Sequence, residues 1–147
     1  MNHHDLRAQL LAVTSATLRA DGHDGASAWT RSGRGSVVAR HTGAEVVEWE
    51  ESGEWTEAGR SFGYRTALRW TFDGAGVHLA HLRRGPAHPV HLATLTRDPA
   101  GALIPKAPHL CGDDRYLAEL DCVPGALTLH WRATGPAKDY RLSVTYR

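Results

Sequence analysis

The sequence predicts a mainly β protein, an antiparallel up-and-down barrel of eight to nine strands with a short N-terminal helix. Three observations carry that prediction. Turn signals recur at meander spacing: Thr42-Gly43, Ser52-Gly53, Asp73-Gly74, Asp98-Pro99-Ala100-Gly101, Pro124-Gly125 and Gly135-Pro136. The connections are too short for the helical crossovers that parallel strands require. Between the turns, apolar residues alternate with polar ones at the period of two that marks strands.

In chain order, Asp5 can cap a helix in which Leu6, Leu10 and Val13 fall near one face. Val13 to Arg19 is rich in β-branched residues and reads equally well as a first strand, ended by Asp21-Gly22 and Asp24-Gly25. Helix followed by strand is the reading adopted. Strands are then expected near Ala26 to Ser32, Gly35 to Arg40, Glu45 to Ser52, Arg60 to Phe72, Gly76 to Arg84 and Pro89 to Arg97. A proline-bounded loop containing Pro105 and Pro108 follows, and then strands at Tyr116 to Cys122, Ala126 to Thr134 and Asp139 to Arg147.

Three apolar faces want a common core: Thr66, Leu68, Trp70 and Phe72; Leu127, Leu129 and Trp131; Tyr140, Leu142, Val144 and Tyr146. Closure into a barrel is favoured over a sandwich, because an open meander of this length leaves edges exposed. One barrel face then fills a lumen able to hold one small ligand. Large apolar groups gain roughly 1.5 to 3 kcal/mol each on burial, whereas an unpaired arginine inside costs several. Trp131, Tyr140, Leu142 and Val144 are therefore expected inside, with Arg132 and Arg141 on the other face.

The 147 residues fit one domain, 1–147, with enough chain to bury a core unaided. With 17 Lys and Arg against 16 Asp and Glu, the net charge is +1 and no basic tract stands out, which argues against a nucleic-acid partner. No apolar run reaches the roughly 20 residues that span a bilayer, and the first residues lack the apolar core of a signal peptide. The expectation is a cytoplasmic protein with no membrane partner. Cys111 and Cys122 are then expected reduced. The ten histidines are scattered without a closed metal-site spacing, so no metal is assigned; the cofactor is left open.

From Gly33 to Arg147 the order of motifs resembles a bacterial family of unknown function, numbered 6314. The segments that carry the resemblance are Gly35-Ser-Val-Val-Ala, Val47-Glu-Trp-Glu-Glu-Ser-Gly53, Tyr64-Arg-Thr-Ala-Leu-Arg-Trp70, Phe72-Asp-Gly74 and Val77-His78. His109-Leu-Cys-Gly-Asp-Asp-Arg-Tyr116 and Trp131-Arg-Ala-Thr-Gly-Pro-Ala-Lys-Asp-Tyr-Arg141 are the most specific. The resemblance implies a lipocalin-like barrel and brings no activity with it.

The chain's densest polar stretch is His109 to Tyr116. His109 and Cys111 share a side if locally extended, and Asp114 and Tyr116 repeat that spacing, so His109, Cys111 and Asp114 form a candidate acid-base, thiolate or metal cluster. The ordinary reading of each is structural: a histidine capping backbone, a small buried cysteine, an aspartate fixing a turn. His78 or His81 can point into the lumen. Tyr116, Trp70, Trp131, Arg132 and Arg141 complete the candidate ligand-binding set, the tryptophans through stacking and the arginines, with Arg69, through their anion-matching fork. Outer-face arginines in water are the plainer alternative. Lys138 lies in a turn and would need a depressed pKa to act. Glu48, Glu50, Glu51, Glu54 and Glu57 read as one solvated acidic hairpin; the alternative, a pair of catalytic carboxylates across it, has no supporting spacing.

The function expected is a small-molecule binding barrel whose lumen takes a compact, partly apolar ligand. An enzyme or metal protein using the His109, Cys111 and Asp114 cluster is the first alternative, and a partner-binding scaffold the second.

Overall fold

A computed structural model describes residues 2–147, apart from the side chain of His4. Helix α1, His3–Ala12, is followed by β1 Ser15–Asp24, β2 Ser27–Gly43, β3 Val46–Glu57, β4 Arg60–Asp73, β5 Gly76–His81 and β6 Val90–Arg97. Two three-residue strands, β7 Leu103–Pro105 and β8 His109–Cys111, lead into β9 Asp114–Val123, β10 Ala126–Gly135 and β11 Lys138–Tyr146. All pairings are antiparallel, and sequence neighbours pair around the sheet except where β11 meets β1 and β7 meets β9. Pairing of β9 with β10 closes the ring. Ten strands thus form the barrel wall, and β8 lies outside the ring, paired only with β9.

The strands differ from the eight to nine expected by one merger and two additions, β7 and β8. The segments Ala26 to Ser32 and Gly35 to Arg40 are one continuous strand, β2, because the glycines between them serve a close approach of side chains and not a turn. The Pro105-Pro108 loop holds β7 and β8. Prolines withhold amide donors, so these strands stay short; β7 meets β9 at the single pair Leu103↔Leu120. The seam between β6 and β9 is correspondingly the most lightly bonded part of the wall.

The helix seals one end. Leu6 and Leu10 are fully buried, and the Trp49 indole N–H donates to the Leu10 carbonyl at 2.9 Å. Arg7 bonds the Ala44 carbonyl and the Glu45 carboxylate, and the Gln9 amide donates to the Val123 carbonyl at 2.6 Å, tying α1 to two hairpin turns. Asn2 caps the helix, its side chain accepting from the Asp5 amide at 2.9 Å, so Asp5 belongs to the first turn and is not the cap. Above α1 the barrel is packed with Val47, Trp49, Trp70, Phe72, Leu79 and Leu95. Among the described residues no helix is long and apolar enough to cross a membrane.

Candidate functional site

Beyond that packed half the wall residues no longer meet across the barrel. They enclose a cavity of about 460 Å³ that reaches from the interior to exposed side chains at the end opposite α1. The alternation of β10 and β11 aims Leu129, Trp131 and Ala133 into it from one strand and Tyr140, Leu142 and Val144 from the next, in direct register. Arg132 and Arg141 face each other on the outer surface, exposed.

One ionisable group stands at the inner end. Glu51 is 4% exposed, on the same face of β3 as Val47 and Trp49. Its carboxylate accepts the Tyr64 hydroxyl at 2.5 Å on one oxygen and the Tyr146 hydroxyl at 2.9 Å on the other. Burial pushes the Glu51 carboxyl above its ordinary pKa, and the two phenol bonds oppose that rise. Both phenols are themselves held above their usual pKa, by burial first and by the adjacent carboxylate second.

Gly35 makes the Tyr64 contact possible, and Gly53 lets β2 and β3 approach closely beside it. Gly35, Gly53 and Tyr64 lie in one cross-strand row, Gly35↔Gly53 and Gly53↔Tyr64. A Cβ at Gly35 would lie 2.1 Å from the Tyr64 hydroxyl, and one at Gly53 would lie 2.0 Å from the Arg34 carbonyl oxygen. The phenol therefore occupies the space that a side chain on β2 would take. Gly35→Ala is expected to displace that hydroxyl from Glu51 at a cost of about 1–3 kcal/mol, the range for overpacking and for lost buried bonds. In a Tyr64→Phe background the same change should cost distinctly less, since the clashing oxygen is gone. Urea unfolding of the four proteins in the cycle measures this, and an equal cost in both backgrounds would contradict it.

The sign of the Glu51 titration gives a second expectation. With its pKa raised in the fold, the native protein holds a proton that the unfolded chain has already released. The contribution of Glu51 to stability therefore falls as pH rises from its unfolded pKa through its folded one, and is constant above. Gln at this position does not titrate. The melting temperature of Glu51→Gln minus that of wild type should grow more positive as pH rises upward from the ordinary carboxylate range; a constant or shrinking difference would contradict the raised pKa.

The residues singled out from sequence fall in several places. Tyr116 and Trp131 line the cavity. Trp70 is fully buried in the core beneath it, edge-on to Trp49 at 5.2 Å, and its indole N–H has no hydrogen-bond partner among the described residues. His78 points outward, because Val77 and Leu79 take the inner face of β5. It bonds Asp73 at 2.8 Å and Thr94 at 3.0 Å, while His81 lines the cavity. Arg69 lies on the outer face paired with Glu48 at 2.8 Å.

His109, Cys111 and Asp114 do not converge on the cavity. Pairing with β9 places His109 opposite Tyr116 and Cys111 opposite Asp114, so the cluster is spread along a hairpin outside the ring. Cys111 is exposed, and no hydrogen bond joins it to His109 among the described residues. Asp114 pairs with Lys138 at 3.1 Å, and Lys138 also donates to the Tyr116 hydroxyl at 2.7 Å. Those bonds, the Tyr116 one foremost, raise the Lys138 pKa, the reverse of what a nucleophilic lysine needs. Cys111 and Cys122 are both free thiols. The His109 ring stands 6.1 Å from that of His91, which stands 6.4 Å from that of His78. Burial, then its two histidine neighbours, hold His91 below the ordinary imidazole range. Among the described residues no group of three His, Cys, Asp or Glu side chains is placed to share a metal ion.

Two outer-face arrays place an imidazole between a carboxylate and a hydroxyl: Asp73, His78 and Thr94, and Asp121, His130 and Ser143 at 3.0 and 2.9 Å. Neither array lines the cavity. Each array bridges neighbouring strands, His78 standing opposite Thr94 and His130 opposite Ser143. They serve as cross-strand ladders.

Sequence reasoning missed Glu51, Tyr64 and Tyr146 as one group. The signal was present in β3, where Val47, Trp49 and Glu51 alternate, but the run of five glutamates read by composition as uniformly solvated. Its other members do lie outward or at the rim: Glu48 pairs with Arg69, Glu50 with Arg40 and Glu57 with Arg31.

The molecule is a closed antiparallel β-barrel, plugged by a helix at one end and hollow toward the other. Residues 17–147 match a family of unknown function, DUF6314, and the chain belongs to that family. The plug helix lies ahead of the matched residues. No curated protein matches the chain.

Proposed function

We propose that the protein binds a compact, partly apolar small molecule in the barrel lumen. The observation that carries the reading is the cavity of about 460 Å³ joined to one buried carboxyl. Ligand pockets span about 300–1,000 Å³ and pair apolar walls with a few placed polar groups. Leu129, Trp131, Leu142 and Val144 supply the walls, and Glu51 with its two tyrosines supplies the polar point. A barrel evolved only for stability gains nothing from leaving that volume open, since each missing contact forfeits dispersion energy.

In this reading Trp131 and Tyr116 contact the ligand, whereas Arg132 and Arg141 stay in solvent. The seat of binding is the inner end near Glu51, and Arg65, Arg83 and His81 border the entrance. The test is occupancy. Native mass spectrometry of protein purified from its source should show a non-covalent adduct released on denaturation, and a thermal-shift panel should find stabilising compounds. A bare mass together with no stabilising compound would remove the reading.

A further inference from the structure

We propose that the lumen ligand is an organic cation, a compact molecule whose protonated amine docks on Glu51; this rests on the cavity being a ligand site. Of the β3 glutamates, Glu48, Glu50 and Glu57 each pair with an arginine, and all three of those pairs lie outside the cavity lining. Glu51 faces the cavity, is 4% exposed, and makes no ion pair among the described residues.

Its two oxygens each accept one phenol hydroxyl, from Tyr64 and from Tyr146. A carboxylate has about four lone-pair sites, so acceptor capacity remains after both bonds. Both phenols have spent their only O–H on Glu51, so neither offers a donor to an anion. The inner end of the cavity thus centres on an acceptor whose two phenol partners have no donor to spare, and Thr66, its register partner on β4, adds one neutral hydroxyl.

The walls agree with that polarity. Trp55, Trp131 and Tyr140 present aromatic surface to the lumen, and aromatic faces attract ammonium groups more strongly once water is excluded. Of the basic residues that touch the cavity, Arg65 and Arg83 are exposed and open to screening by solvent, and burial lowers the pKa of the third, His81. An anion at the inner end would meet the carboxylate unshielded. A neutral apolar body would strip water from Glu51 and return nothing. A protonated amine satisfies the free lone pairs and cancels the buried charge.

The test uses three compounds of nearly one shape: benzylamine, benzyl alcohol and benzoate. Titration calorimetry on the full chain at about pH 8 keeps the alkyl amine protonated, as a lysine is. Chemical shifts of the Trp55 and Trp131 indole N–H groups report whether binding is in the lumen. The charged amine should bind about tenfold more tightly than the alcohol, because charge-assisted hydrogen bonds are roughly twice as strong as neutral ones. Benzoate should bind most weakly. Glu51→Gln should erase the preference for the amine while leaving the alcohol's affinity in place; should that variant fail to fold, the wild-type ranking decides. Alcohol or benzoate binding as tightly as the amine would overturn the cation while leaving a lumen site. Silence from all three at millimolar concentration, with unmoved indole signals, would remove both.

Discussion

Trp49→Ala is expected to cost about 3–5 kcal/mol in urea unfolding, the range for truncating a large buried aromatic. Trp49 is 1% exposed, and its ring stands 5.2 Å from that of Trp70 and 4.6 Å from that of Tyr146. Its N–H is also the bond that holds the Leu10 carbonyl, so truncation leaves a cavity, an unsatisfied carbonyl and a loosened plug helix together. The loss is large against the roughly 5–15 kcal/mol that a domain possesses. Trp49→Phe keeps the ring packing and removes the donor, and should cost distinctly less. A loss below about 1 kcal/mol for the alanine variant would mean that the helix and the packed half of the barrel are not coupled through this residue.

Filling the lumen is expected to have the largest effect on binding. Ala133 is 1% exposed, faces the cavity and lies between Tyr116 and Tyr140 on the neighbouring strands. In Ala133→Trp the indole takes space that the ligand would occupy. Forcing both into one volume costs at least the about 1–3 kcal/mol of ordinary overpacking, so affinity should fall about tenfold to a hundredfold or more. The fold should tolerate the change, because the cavity itself receives the ring. Leu142→Trp fills the same space from β11 and should reproduce the loss. Binding unchanged in both variants, measured by calorimetry with a compound that stabilises wild type, would place the ligand elsewhere.

The barrel was legible in the sequence because its evidence is local. Period-two faces at Thr66 to Phe72, Leu127 to Trp131 and Tyr140 to Tyr146 state which side is inside, and the Gly-containing turns state where each strand reverses. Alternation likewise placed Trp131 and Leu142 opposite Arg132 and Arg141. What failed was non-local. Gly33 and Gly35 look like punctuation in one dimension, yet Gly35 makes room for Tyr64, which arrives from two strands away. More locally, the prolines of β7 and of the segment before β8 withhold donors and so mask two short strands that pair with their hairpin neighbours β6 and β9.

The candidate site was less legible than the fold. His109, Cys111 and Asp114 attract notice through residue type, but β8 lies outside the ring and the hairpin spreads them away from the lumen. Glu51 was hidden among other glutamates, although its register with Val47 and Trp49 aims it inward. Its importance comes from Tyr64 and Tyr146, which stand 13 and 95 residues away. No spacing rule joins three such positions; only barrel closure does.

The central claim, that the lumen is a ligand site, is tested most directly by native mass spectrometry of wild type and Ala133→Trp purified in parallel from the source organism. The account predicts a non-covalent adduct on wild type that denaturation releases and the indole variant lacks. An adduct retained in full by Ala133→Trp would contradict it.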